Sequence, residues 1–145
     1  MIRIAGRCET VTVTAPTIER EDRLVTVRFS GGITDGELTI MLDTLSELVN
    51  DPALRPAFVF DVSHGVVPPA RQRQQMGEWL RRHSAAVGRQ CVAAAYVLPN
   101  AGLRGMLTAI LWVAPHPIPH LVCKTLFEGR AWARSQLIRP ALAQR

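Results

Sequence analysis

Three clusters in this 145-residue chain carry residue types that could do chemistry. In "DVSH", Asp61, Ser63 and His64 bring a carboxylate, a hydroxyl and an imidazole to the end of an apolar run, where open α/β sheets often bind ligands. Neighbouring strand residues point to opposite faces, so Ser63 and His64 cannot act as nucleophile and base without a sharp turn. The stretch reads instead as a strand ending in turn-forming polar groups. His116 and His120 have the i, i+4 spacing that puts two metal ligands on one helical face. Pro117 and Pro119 forbid that helix, and no Cys or carboxylate stands at a supporting position, so no metal is expected. Gly31 and Gly32 precede a helix and could offer amides to an anion. Without a P-loop lysine or dinucleotide glycine spacing, they read as a turn. His83 falls in an apolar helical stripe, as a hydrogen-bonded core histidine does. No catalytic residue and no cofactor is expected, and an enzyme using Asp61 or His64 is a remote option.

Composition points the same way. A chain of this length can bury about 68 to 70% of its unfolded surface, enough for a core without staples. It reads as one domain over 1–145, with its core from about 11 to 137 and a short tail, 138–145. Cys8, Cys91 and Cys123 are odd in number, far apart and set among apolar residues. They read as small buried hydrophobes in a reducing compartment. No apolar run of signal-peptide length opens the chain, so the cytoplasm is the expected location. Charge is uneven. Residues 1–66 hold ten acids against six Arg, a net of −4, and residues 67–145 hold eleven bases against two acids, a net of +9. An Arg-rich solvated surface explains this more simply than an anionic partner. Binding of single strands would need stacking aromatics on an open sheet. Phe29, Phe58, Phe60 and Tyr96 lie in contexts that read as buried, so nucleic acid is not an expected partner.

The elements that would position these residues alternate regularly. "TVTVTA" (10–15) and "RLVTVRF" (23–29) show the period of half-buried strands, with the charged "EREDR" (19–23) as the turn of a hairpin. Thr34 and Glu37 form a capping box, Ile33 and Leu38 occupy staple positions, and Leu38, Met41, Leu42, Leu45, Leu48 and Val49 recur at helical spacing until Asn50. "AFVFDV" (57–62) suits a strand covered on both faces. A helix follows from about Ala70 to Val87, with Met76, Trp79, Leu80, His83 and Val87 on one stripe and Gly88 as its stop. "CVAAAYVL" (91–98) and "HLVCK" (120–124) are further strands, and Thr125 with Glu128 caps a last helix. The order predicts an α/β fold: a mixed sheet of about five strands and about four helices, an N-terminal hairpin, then α and β in alternation with right-handed crossovers.

The longest stretch without a charge, "GMLTAILWVAPHPIPHLVC", is too short to span a membrane. Its helix must end near Ala114, before Pro115, leaving twelve residues from Leu103, about 18 Å. No transmembrane segment is expected. On a helical wheel Leu103, Met106, Leu107, Ile110, Val113 and Ala114 face the sheet. Trp112 points the opposite way, with Leu111, Thr108 and Arg104 near it. Long apolar side chains outside a core are often shielded by loops, so coverage by the "PHPIPH" link or a neighbouring helix is the first expectation. The other is an exposed docking face for a protein, most simply a second copy in a homodimer.

With "TVRFSGGITDGEL", "FVFDVS", "LRGMLTAILWV" and "TLFEGRAWA", the element order resembles the bacterial STAS-like domains sometimes grouped as STAS/SEC14, relatives of anti-sigma factor antagonists. The resemblance covers about Val11 to Leu137. In the antagonist branch a strand ending Asp-Leu-Ser precedes a loop serine that is phosphorylated. Asp61, Val62 and Ser63 match the strand end, but Pro68, Pro69, Ala70 and Arg71 stand where that serine should follow. The resemblance therefore implies a non-catalytic regulatory or interaction module without the phosphoswitch. In its SEC14-like direction it implies a carrier or sensor of a lipid or other small apolar ligand, bound between the third helix and the sheet. Candidate interaction or ligand-binding residues are Arg104, Thr108, Leu111, Trp112, Asp61 and Ser63.

Overall fold

The capping box forms: Thr34 N–H donates to Glu37 Oε1 at 2.8 Å and Glu37 N–H to Thr34 Oγ1 at 3.1 Å. Two amides that the first helical turn leaves without partners are thereby satisfied. Helix α1 (Asp35–Val49) then buries Leu38, Met41, Leu42, Leu45 and Val49 and ends at Asn50. This computed structural model describes residues 8–12, 16–113 and 115–139; residues 1–7, Val13 to Ala15, Ala114 and residues 140–145 lie outside the described residues.

Among the described residues the sheet has six strands in sequence order: β1 (Cys8–Thr12), β2 (Thr17–Glu21), β3 (Leu24–Gly31), β4 (Ala57–Gly65), β5 (Ala93–Val97) and β6 (His120–Cys123). The first three pair antiparallel and β3 to β6 pair parallel. The α/β class and the four helices are as expected, and the hairpin gains a strand. "EREDR" is not a turn as a whole. Glu19 to Glu21 belong to β2, and the chain reverses only at Asp22 and Arg23, with Asp22 at a positive φ of 53°. A strand near the sheet margin needs little apolar surface. Ile18 supplies it, and the charged residues stay at the surface, Glu19 lying 3.8 Å from Arg28.

The strands of the parallel part step in one direction, so crossovers of one hand carry α1, α2 (Ala70–Gln90) and α3 (Ala101–Val113) to the same face. Their apolar residues meet Val25, Val27, Phe29, Phe58, Phe60, Ala94 and Tyr96 there. Helix α2 runs through Gly88 rather than stopping at it. Glycine costs a helix interior about 1 kcal/mol, and burial of Ala86 and Val87 holds the turn until Cys91 goes extended into β5. The other face belongs to α4 (Leu126–Leu137), whose Ala133 packs on Leu24, Ala57, Val59, Ala95, Val97 and Cys123. Thr125 caps α4 by accepting from Glu128 N–H at 3.2 Å, while its hydroxyl donates to Glu128 Oε1.

The two faces differ in closeness. At Gly129, a Cβ would stand 3.2 Å from Val97, 3.3 Å from Cys123 and 3.4 Å from Val59, so α4 lies directly on the strands. Gly129→Leu is therefore expected to lower stability by about 1 to 3 kcal/mol through overpacking. Gly105→Ala on α3, where no atom lies within 4 Å, should raise it by about 0.8 to 1 kcal/mol. Urea unfolding midpoints of the two variants check both signs.

Candidate functional site

Helix α3 starts where Asn100 Oδ1 accepts from Leu103 N–H at 2.9 Å. Its inner side buries Leu103, Leu107 and Ile110, the first two packed with Val62 and Leu98. Its outer side carries Arg104, Thr108 and Trp112 one turn apart, all exposed, with Trp112 at 84%. The self-coverage expected for that indole does not occur. The Pro-rich link that should shield it is drawn toward the sheet: Ile118 joins the core and His116 turns to Tyr96. Leu111 differs from expectation as well. It is half-buried against the Leu103 and Leu107 cluster rather than sharing the outer patch. Arg104 reaches back to Leu98 O at 3.3 Å and Thr108 Oγ1 donates to Arg104 O at 3.1 Å.

Asp61 and Ser63 lie apart from that surface. Asp61 follows Val59 onto the α4 face and is 7% exposed. It accepts from Ser63 N–H at 3.1 Å and Ser63 Oγ–H at 2.5 Å. Here β4 carries one residue more than β3, Arg28 pairing with Asp61 and Ser30 with His64, and the carboxylate ties that bulge together. "DVSH" is thus a bulged strand whose polar groups satisfy one another. His83 is the hydrogen-bonded histidine expected of it. Its Nδ1 meets Trp79 O at 2.9 Å, its Nε2 lies 3.2 Å from Ser46 Oγ, and that hydroxyl accepts from Trp79 Nε1–H at 2.9 Å.

Under α1, α2 and α3 lies a cavity of about 170 Å³. Phe29, Phe60, Val62 and Tyr96 form its sheet side; Met41, Leu42 and Leu45 line it from α1, Met76, Trp79, Leu80 and Gln72 from α2, and Met106, Leu107 and Ile110 from α3. Val66 and Val67, about half exposed on the loop after β4, stand at its rim with Gly31 and Gly32. It therefore sits toward the carboxyl ends of the parallel strands, where open α/β sheets place ligands. An adjoining recess of about 50 Å³ shares Leu45, Phe60, Trp79, Leu80 and Tyr96 and is also lined by His116. The pocket adjoins the space between the third helix and the sheet named from the sequence, and α1 and α2 line it as well. One signal was present: Gln72 stands one turn before Met76 on the apolar stripe of α2.

The rings beside the cavity form a row. Phe58, Phe60 and Tyr96 stack at 5.7 and 5.2 Å, His116 meets Tyr96 edge-on, and His120 stacks on His116 at 4.6 Å. His116 Nε2 and Tyr96 Oη are 2.8 Å apart. Burial, assisted by His120, pulls the His116 pKa from 6.5 down to about 4, and burial pushes the Tyr96 phenol well above its ordinary value. No group of His, Cys, Asp and Glu among the described residues could hold a metal. Cys91 and Cys123 are free and buried; burial raises both thiols, Cys91 to about 12. No helix among the described residues is long and apolar enough to cross a membrane.

With six strands in sequence order and helices on both faces, the fold can be compared with known structures. A protein of the DUF3478 family from Shewanella loihica, described as having a SpoIIAA-like fold, matches over 92% of this chain and 95% of its own, at TM-score 0.58 and 10% identity. An anti-sigma factor antagonist from Mycobacterium paratuberculosis matches at TM-score 0.48 and 18% identity, over 90% of this chain and 97% of its own. Mglu matches at TM-score 0.45 and 23% identity, over 58% of this chain, which spans 19% of that protein's length. No family model matches the sequence, and no curated protein matches it. The chain has a STAS-like, SpoIIAA-like fold.

The His116 shift has a sign that can be measured. Above about pH 6.5 the imidazole is neutral both folded and unfolded. Between 6.5 and 4 the unfolded chain takes a proton that the folded chain refuses, so stability falls as pH drops through that window and levels below it. His116→Asn should show a shallower loss of melting temperature from pH 7 to pH 4 than the unmodified chain, measured by circular dichroism.

Proposed function

We propose that the chain is a non-catalytic regulatory module that holds a small apolar ligand in the cavity beneath α1, α2 and α3. The carrying observation is the cavity itself. Protein interiors normally pack as densely as organic crystals, and an apolar void of about 150 Å³ takes up a molecule such as benzene. A hollow of about 170 Å³ with a valine rim has the size and lining for that class of ligand. The SpoIIAA-like fold of the Shewanella protein is compatible with this reading and supplies no chemistry of its own. Asp61 and Ser63, the matches to the antagonist strand end, are engaged with each other, which supports a role without a phosphoswitch. The free thiols Cys91 and Cys123 suit the reducing cytoplasm.

Indene, a rigid hydrocarbon of about the right size, is the test ligand. At one hundred times its dissociation constant it should stabilise the chain by about 2.7 kcal/mol, a rise in melting temperature of roughly 5 to 10 °C. Met106→Trp, which places an indole in the cavity, should abolish that rise while keeping the circular dichroism spectrum. If neither indene nor other small hydrocarbons shift the unmodified chain, the ligand reading fails.

A second reading is favoured by Trp112. An indole 84% exposed between Thr108 and the end of α3 is a surface that a protein partner, most simply a second copy, would cover. Trp112→Glu should leave the stability of the monomer within about 0.5 kcal/mol of its original value and weaken assembly. Sedimentation of the unmodified chain as a monomer at high concentration would count against self-association.

A further inference from the structure

Resting on the ligand reading above, the geometry points to a narrower ligand class: a neutral ring compound or short amphiphile bearing one hydrogen-bond donor, received by Gln72. Gln72 is 4% exposed and lines the cavity. Its amide nitrogen donates to Ile33 O at 2.9 Å and Asp35 Oδ1 at 3.0 Å. Both partners are acceptors only, so the amide cannot be flipped, and its oxygen must face the other way. Arg71 fixes this arrangement from the outside by donating to both Asp35 oxygens at 2.8 and 3.0 Å. The hydrogen bonds from Gln72 and then Arg71 hold the Asp35 carboxyl below its ordinary pKa, keeping it the acceptor that orients the amide.

Gln72 Oε1 is buried without a hydrogen-bond partner. Such acceptors are uncommon and costly in proteins. The other polar lining side chains are engaged, Trp79 with Ser46 and Tyr96 with His116. A water there would need two to four polar partners, and the lining side chains other than Gln72, Trp79 and Tyr96 are apolar. A hydroxyl or ring N–H on an otherwise apolar ligand satisfies Oε1 directly. No charged side chain lines the cavity, so an anionic headgroup finds no counter-charge there and would meet the Gln72 oxygen.

Three probes of nearly one shape separate the possibilities: indole carries a donor, benzofuran an acceptor only, and indene neither. Dissociation constants by calorimetry are compared for the unmodified chain and for Gln72→Met, which keeps length and volume but removes the amide. Comparing the indole-to-indene ratio between the two proteins cancels the different hydration of the probes. The expected result is a preference for indole that falls about fivefold or more in Gln72→Met, with indene binding retained. An unchanged ratio overturns the role of Gln72 while leaving the apolar cavity reading intact. Failure of all three probes to bind the unmodified chain overturns both. Should Gln72→Met not fold, the unmodified chain decides alone: benzofuran binding as tightly as indole overturns the inference, and a fivefold or larger preference for indole over benzofuran supports it.

Discussion

Flat rings and long thioethers do not tile a surface as small aliphatic groups do. Phe29, Phe60 and Tyr96 rise from the sheet toward Met41, Met76 and Met106 on three helices, and the space between them is not closed. On the reverse face Gly129 and Ala133 let α4 settle on Val59 and Val97. The same strands thus carry a dense half and a hollow half. Each alanine from Ala93 to Ala95 helps the sheet fit its neighbours, but bulk on the helical side sets the distance at which α1, α2 and α3 must stand.

Much of this was legible where a local rule had no competitor. The Thr34 and Glu37 box and the burial of Leu103, Leu107 and Ile110 along α3 formed as read, because each depends on residues within a few positions of one another. Losses occurred where distant residues decided. Charged β2 is a strand because β1 and β3 pair with it, not because of its own pattern. Gly88 stays helical because its neighbours are buried. Trp112 is bare because Ile118 and His116, beyond the prolines, are drawn inward by the core and by Tyr96. A void, finally, belongs to no residue; only the stray Gln72 on an apolar stripe hinted at it.

The polar groups that looked most chemical in the sequence prove to be occupied with structure. Asp61 holds a bulge, His83 and Ser46 anchor the Trp79 indole, and the two histidines of the Pro-rich link extend a row of rings. Arg104, Thr108 and Trp112 share the outer side of α3, whereas Asp61 and Ser63 belong to the strand beneath α4, so the six residues singled out in the sequence do not form one site. The helix that bears Trp112 outward also lines the cavity inward. An occupant pressing on Met106 or Ile110 would therefore bear on the element that presents the indole.

The hollow has a mechanical corollary. Space that the packed atoms of a folded chain leave unfilled is lost when the chain unfolds, so the unfolded form occupies less volume. Compression works on that difference. The lopsided interior makes this molecule softer on the side of three helices than on the side of one, and hydrostatic squeezing would collapse the former first, unless a guest were already resident to bear the load.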